Sequence, residues 1–523
     1  MHASISTIER QAAPTPQLAE DKLALEYAEQ HGTACARSCW SIDHWLWPVL
    51  FFEVALYFGL HGFQTLFASL VLLFTGLLTV IIAFRLALVT LSLISSPEVK
   101  VDAAELSQLS QAELPMITIL APLYKEANLA QGLVRSLAQL DYPRSLLDIK
   151  LLLEADDDIT VNAVRSLELG KEFDVILVPA SLPRTKPKAC NYGLRRARGE
   201  FTVIFDAEDR PESDQLKKVV LAFSQAADNV ACIQAKLNYY NPRVNFLTRS
   251  FALEYTAWFD LVLPGIQRLD GPIPLGGTSN HFRTAVLREL GGWDPYNVTE
   301  DCDLGVRISI LGYRTLLIDS TTWEEANSEL GNWIRQRSRW IKGYMQTHLV
   351  HTKRAFHLLR RAGLRRTLLF YLCVSSVPLQ QLLNLLCLPV LVLYALLLGY
   401  DGMLGRDPWV VVAGSREEFR TAWQMMFLEA GEDPLWSRFS VVGFVCSIGL
   451  LLTNGMFIAI NLLAARRRGY GDLWLTALLS PGYWALGSVA AWKGAVQLVM
   501  RPHYWEKTNH GLTPIETKGS DPA

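Results

Sequence analysis

Residues 201–211 read Phe-Thr-Val-Ile-Phe-Asp-Ala-Glu-Asp-Arg-Pro. Five residues that favour buried, extended backbone run straight into Asp206, Glu208 and Asp209, the pattern of a β-strand ending at a ligand-binding edge. The figure recurs upstream: Met116–Tyr124 leads to Glu126, and Ile149–Glu154 runs into Asp156, Asp157 and Asp158. Val175–Pro179 and Val230–Leu237 complete the strand candidates. Between them, Ala127–Leu140, Pro187–Arg198 and Pro211–Ala226 carry apolar residues at helical spacing, and two open on proline, which suits a first helical turn. Strand–helix alternation predicts an α/β domain with a mostly parallel sheet, whose ligands bind beyond the carboxyl ends of the strands.

Outward from this domain the composition changes. Of 523 residues half are hydrophobic and only 19% charged, and the apolar ones gather in long runs. Trp45–Ile94 is twice the roughly 20 residues that span a bilayer, with a soft break at His61-Gly62, so it reads as a transmembrane hairpin. Past the domain, Lys353-Arg354, Arg360-Arg361 and Arg365-Arg366 precede the run Thr367–Tyr400, a cytoplasmic mark by the positive-inside rule. Asp401–Arg438 is sparse in basic residues and suits the far side; Phe439–Leu463 is a further span, closed by Arg466-Arg467-Arg468. Leu473–Met500 is interrupted by Pro481-Gly482 and carries Lys493, so it spans, re-enters or lies flat. The expected organisation is a cytoplasmic segment 1–44, a hairpin 45–95, a cytosolic domain 96–366, interfacial and transmembrane helices 367–500, and a tail 501–523.

Charge and cysteine content exclude other classes. With 49 basic and 51 acidic residues, the net charge of −2 offers no basic surface for nucleic acid. The eight cysteines are scattered, and Cys35 and Cys39 lack the second pair that a zinc knuckle needs, so neither a disulfide framework nor a structural zinc is expected. The first 44 residues have no apolar core after a basic start and so do not read as a cleaved signal peptide.

The acids at the strand ends suggest a divalent cation, because Mg²⁺ and Mn²⁺ take oxygen ligands and bridge carboxylates to substrate phosphates. Each cluster by itself would equally serve as loop acids or caps; Asp209, just before Arg210-Pro211, could cap the next helix. Glu300 and Asp301 open a candidate amphipathic helix, where an acid serves either as a general base or as a favourable first-turn charge. In Gln336-Arg337-Ser338-Arg339-Trp340, residues 336, 339 and 340 would share one helical face and offer a guanidinium fork and a flat indole.

In this order the acids after strands two and four, Thr299-Glu300-Asp301, Gln-x-x-Arg-Trp and the flanking helices resemble the family 2 glycosyltransferases of the cellulose, hyaluronan and curdlan synthase type, strongly over Pro115 to Gly343. The resemblance implies a GT-A α/β domain inserted between transmembrane helices of a bacterial inner membrane. It implies an inverting transfer of hexose, UDP-glucose by default, to a growing β-linked glycan. Pro122-Leu-Tyr-Lys-Glu126 then looks like the nucleotide loop, with Glu154 and Asp156 or Asp157 near the uracil and ribose, and Lys188 before the donor phosphates. Asp206 and Glu208 stand for the metal motif binding Mg²⁺ or Mn²⁺; the second acid departs from the usual Asp. Asp301, beside Glu300, resembles the catalytic base, and Gln336, Arg339 and Trp340 the motif for diphosphate and acceptor. Gly276–Arg283 resembles a polar acceptor loop, and Pro502–Gly511 reads as a gate over the nucleotide or an interfacial aromatic anchor. A partner chain for export or regulation is also expected, and no nucleic acid.

Overall fold

The computed structural model describes residues 19–41, 63–385 and 435–511, with isolated positions between 44 and 56. The first arm of the expected hairpin, most of Asp401–Arg438, and the tail beyond 511 lie outside the described residues.

An eight-stranded sheet forms the centre, in the order β3-β2-β1-β4-β7-β6-β8-β5. Its strands are β1 Ile117–Leu123, β2 Leu147–Glu154, β3 Phe173–Val178, β4 Phe201–Ile204, β5 Arg210–Pro211, β6 Val230–Tyr239, β7 Asn280–Arg283 and β8 Arg314–Glu324. Strands β3, β2, β1 and β4 are mutually parallel, as are β6 and β8, while β7 runs antiparallel between β4 and β6. The mostly parallel α/β architecture agrees with the sequence reading.

Side-chain alternation explains why these runs are apolar on both faces. Ile117, Ile119 and Ala121 of β1, with Leu151 and Leu153 of β2, face the layer carrying Leu133, Leu137 and Val219. Leu120, Leu152 and Ile204 face the opposite layer with Cys190 and Leu194. A parallel strand covered on both sides reads as largely apolar, and the polar exceptions inside β2, Asp148 and Lys150, are buried and paired with each other at 2.9 Å.

Two expectations change. Pro211 does not open a helix; it lies in the two-residue edge strand β5, where a missing N–H is tolerated, and the helix begins at Gln215. Gly276–Arg283 is not a flexible loop throughout, because Asn280–Arg283 is β7, with Asn280, His281 and Phe282 buried.

The helices beyond the sheet form a second layer. The Phe63–Ile94 helix packs on Leu435–Arg467 and on the short helix Leu263–Arg268, where a Cβ on Gly265 would stand 2.3 Å from the Leu88 carbonyl oxygen. Leu330–Thr352 packs along Ser480–Met500. Pro481 occupies the first turn of that last helix, so the Pro-Gly interruption is a helix start. Leu73–Ile94 and Ala355–Leu385 are long and apolar enough to cross a membrane. Large apolar side chains stand exposed on these outer helices, among them Val80, Leu451, Val496 and Val499.

Candidate active site

The carboxyl ends of β1, β2 and β4 open into one cavity of about 910 Å³ that continues between the outer helices. Nine expected residues line it: Glu126, Glu154, Asp206, Glu208, Glu300, Asp301, Gln336, Arg339 and Trp340. Three stand off it. Asp157 caps the Asp158–Arg165 helix and accepts from the Lys125 amide at 2.5 Å. Asp156 is half-exposed and paired with Arg184. Lys188 is buried behind the wall, bonded to Glu154 at 3.2 Å and to the Pro179 and Ser181 carbonyls.

Each wall residue is held by an identifiable device. Lys125 adopts a positive φ of 54°, a left-handed conformation that costs a non-glycine residue energy; the bond to Asp157 helps fix it, and Glu126 follows it onto the cavity wall. After β4 the chain turns tightly: Asp209 accepts from the Asp206 amide at 2.7 Å and from the Thr278 hydroxyl. Asp209 therefore ties the acidic turn together rather than capping a helix. Lys186, at the start of the Lys186–Arg195 helix, spans the gap to Asp206 at 2.5 Å and to the Gly277 carbonyl at 2.8 Å.

Glu300 and Asp301 open the Glu300–Ile310 helix, where helix-end amides favour negative charge; the Asp301 carboxylate accepts from the Cys302 amide at 2.7 Å. Burial raises Asp301 to about 6. Burial and the neighbouring Asp301 raise Glu300 to about 8. Across the cavity, the 330–352 helix approaches so closely that a Cβ on Gly343 would meet Thr299 Oγ1 at 2.2 Å. This helix brings Arg339 within electrostatic reach of Glu300, Asp301, Asp206 and Glu208.

Residues 501–511 cross the acidic end. Lys342 donates to the Tyr504 carbonyl at 2.7 Å, Gln346 to the Pro502 carbonyl at 3.0 Å, and Lys493 to Glu506 at 2.8 Å. So anchored, the tail lays Trp505 against Arg339, 4.4 Å from guanidinium to ring centroid, pairs Lys507 with Glu126, and sets His510 2.8 Å from Glu208. Burial would raise Glu208, but His510 outweighs it and holds that carboxyl at about 2.

The donor set fits a divalent cation. One ligand atom each from Glu126, Glu208 and His510 lies within 4.8 Å of the others, and the buried Asp209 Oδ1 beside them has no hydrogen-bond partner. Oxygen and imidazole donors suit Mn²⁺ or Mg²⁺. Of the expected pair, Glu208 belongs to this cluster and Asp206, paired with Lys186 as Glu126 is with Lys507, lines the same cavity.

The sequence reading did not single out Lys186, and it treated the Arg466–Arg468 triplet as topology alone. The two lysines of Lys186-Pro-Lys188 differ by 200° around a helix, so only one can face the cavity. Arg468 turns inward and grips Asp260 at 2.6 Å, in the π-turn 258–262 whose Trp258 and Phe259 line the cavity.

The edge of the α/β sheet thus gathers carboxylates, a lysine and an arginine around one cavity. Residues 201–404 match the model described as Glycosyl transferase family group 2. The probable glycosyltransferase YdaM of Bacillus subtilis is 26% identical over 254 residues, 48% of this chain and 60% of that one. The β-monoglucosyldiacylglycerol synthase of Trichormus variabilis is 28% identical over 286 residues, 53% of this chain and 59% of that one. The chain thus spans about three fifths of the length of these curated relatives. A mannosyltransferase from Pyrobaculum calidifontis, solved with GDP-Man and Mn²⁺, aligns with 82% of this chain and 99% of its own at 17% identity and a TM-score of 0.43.

Proposed function

We propose that the protein is a membrane-bound inverting glycosyltransferase that moves hexose from a nucleotide-sugar donor, UDP-glucose by default, to a growing β-linked polysaccharide. The observation that carries this reading is the facing of Asp301 and Arg339 across one cavity that also holds Asp206 and Glu208. The nucleotide lies at the β1–β2 end, against Glu126 and Glu154. Asp301 accepts the proton of the acceptor hydroxyl as that oxygen attacks the anomeric carbon, and one displacement inverts the centre. Arg339 and Lys186 stabilise the charge that develops on the departing diphosphate. A cation held by Glu126, Glu208 and His510 would supply further charge neutralisation there when bound. Trp340 offers the acceptor sugar its flat face.

The apolar exposure of the outer helices supports insertion in a membrane, with the sheet domain on the cytoplasmic side. The continuation of the cavity between those helices supports coupling of polymerisation to export, with or without a partner chain. A second reading, transfer of one sugar to a lipid or short acceptor, is favoured by the similarity to a monoglucosyldiacylglycerol synthase. Incubating the purified full chain with labelled nucleotide sugars and Mn²⁺ tests both. A long product abolished by Asp301→Asn upholds the first, a single-sugar product the second, and no transfer from any donor overturns both.

A further inference from the structure

The deep end of the cavity holds a cation that the proposed chemistry does not use. Arg85 lies in the Phe63–Ile94 helix, roughly two and a half turns, about 14 Å, before its end. It lines the cavity, and its guanidinium lies over the Phe457 ring, 5.4 Å from the centroid. Among the described residues it donates no hydrogen bond and meets no carboxylate at ion-pair distance. Its cationic neighbours on the wall are otherwise placed: Lys186 holds Asp206, Arg184 holds Asp156, Lys507 holds Glu126 and Arg337 holds Glu254. Glu254, within electrostatic reach of Arg85, already accepts from Arg337 and from the Tyr483 hydroxyl.

A guanidinium among apolar helices is costly unless its charge is met and its N–H groups are bonded. Elsewhere on the wall of the same cavity the helices present amides: Gln380, Gln381, Asn384 and Asn461 all line it, and the buried Gln381 Oε1 has no hydrogen-bond partner. Trp258 and Trp484 add aromatic faces. Sugar hydroxyls would satisfy the amides and the aromatic faces would take sugar rings, but a neutral glycan leaves the positive charge uncompensated. A planar fork of free N–H donors matches an oxyanion.

We propose that the deep end of the cavity seats an oxyanion carried by the acceptor, a carboxylate or a phosphate ester, on Arg85. The inference rests on the glycosyltransferase reading and narrows its acceptor to an acidic one. The amides orient the sugar that bears the group, and Arg85 selects for its charge.

Equilibrium binding to the full chain in lipid nanodiscs tests this, in an Asp301→Asn background so that no turnover intervenes. The probes are a neutral gluco-oligosaccharide, the same oligosaccharide ending in glucuronate, a polyprenyl-phosphate-linked glucose, and a polyprenyl glucoside without the phosphate. The expected result is that one acidic probe binds at least about tenfold tighter than its neutral match, and which pair shows the margin identifies the source of the oxyanion. Arg85→Gln should erase that margin, and Arg85→Lys should keep part of it, with the neutral probes little changed. Equal binding of acidic and neutral probes overturns the proposal, as does an Arg85→Gln variant that loses all four alike. The comparison of probes on unsubstituted Arg85 stands even if the variant unfolds. With Asp301 restored, absence of transfer from every nucleotide sugar sinks the transferase reading, whereas transfer without preference for acidic acceptors sinks only the role of Arg85.

Discussion

His510 Nδ1 stands 2.8 Å from Glu208 Oε1, so a side chain from the tail closes a cluster whose carboxylates come from the ends of β1 and β4. The expected consequence is that cation affinity depends on the tail. Glu208→Gln and His510→Ala should each weaken Mn²⁺ binding, read by electron paramagnetic resonance, by at least about tenfold. Unchanged binding in His510→Ala would place the cation on Asp206 and Glu208 alone.

Asp301 should be the group whose ionisation limits the reaction. Asp301→Asn is expected to lower kcat about 10²- to 10⁴-fold with donor affinity retained, as isothermal titration would show. In the unsubstituted enzyme kcat/KM should rise with pH through about 6, where burial places this carboxyl. Glu300→Gln should leave that limb in place, since Glu300 at about 8 is still protonated there.

The same two carboxyls set a stability trend. Both are raised above their unfolded values, so the folded state binds more protons than the unfolded one. Their contribution is therefore fully present at acid pH and is lost as the pH climbs from the ordinary carboxylate range to about 8. Thermal melts of Glu300→Gln should fall less steeply over that interval than those of the parent; a parallel fall would refute the assignment.

Arg339 faces four carboxylates on one side and Trp505 on the other. Arg339→Ala should cost about 10²- to 10³-fold in kcat through lost stabilisation of the leaving diphosphate. Trp505→Ala should instead raise hydrogen exchange in residues 501–511 while exchange around Asp301 stays as it was.

Gly343 leaves no room for a methyl group against Thr299. Gly343→Ala is expected to destabilise the protein by about 1–3 kcal/mol and, by pushing the Thr299–Asp301 turn aside, to lower kcat. Gly343→Ala combined with Thr299→Ser, which removes the crowding Cγ2, should recover part of both losses.

Much of this arrangement could be read from the chain because β1, β2 and β4 are rich in apolar residues and lead abruptly into acids. Sequence alone could not place β7, whose Asn-His-Phe-Arg composition is polar; it sits inside the sheet, its backbone paired to β4 on one edge and β6 on the other, with Asn280 and His281 buried. Strand β8 joins the sheet beside β6 across the whole intervening chain, a pairing that local periodicity does not encode. The sequence offered Lys186 and Lys188 as neighbours, and only the phase of the helix they begin separates the one on the cavity from the one behind it. Arg468 was hidden by its company: a basic triplet after an apolar run reads as topology, yet its third member is turned onto Asp260.

The anchoring of residues 501–511 between the 330–352 and 480–500 helices bears on biosynthesis. A nascent chain that has emerged only as far as residue 500 already possesses the clustered carboxylates but not Lys507 or His510, which balance them. Mutual repulsion should hold the acidic turn open until the following residues leave the ribosome, so assembly of the site is tied to the seating of the last helix.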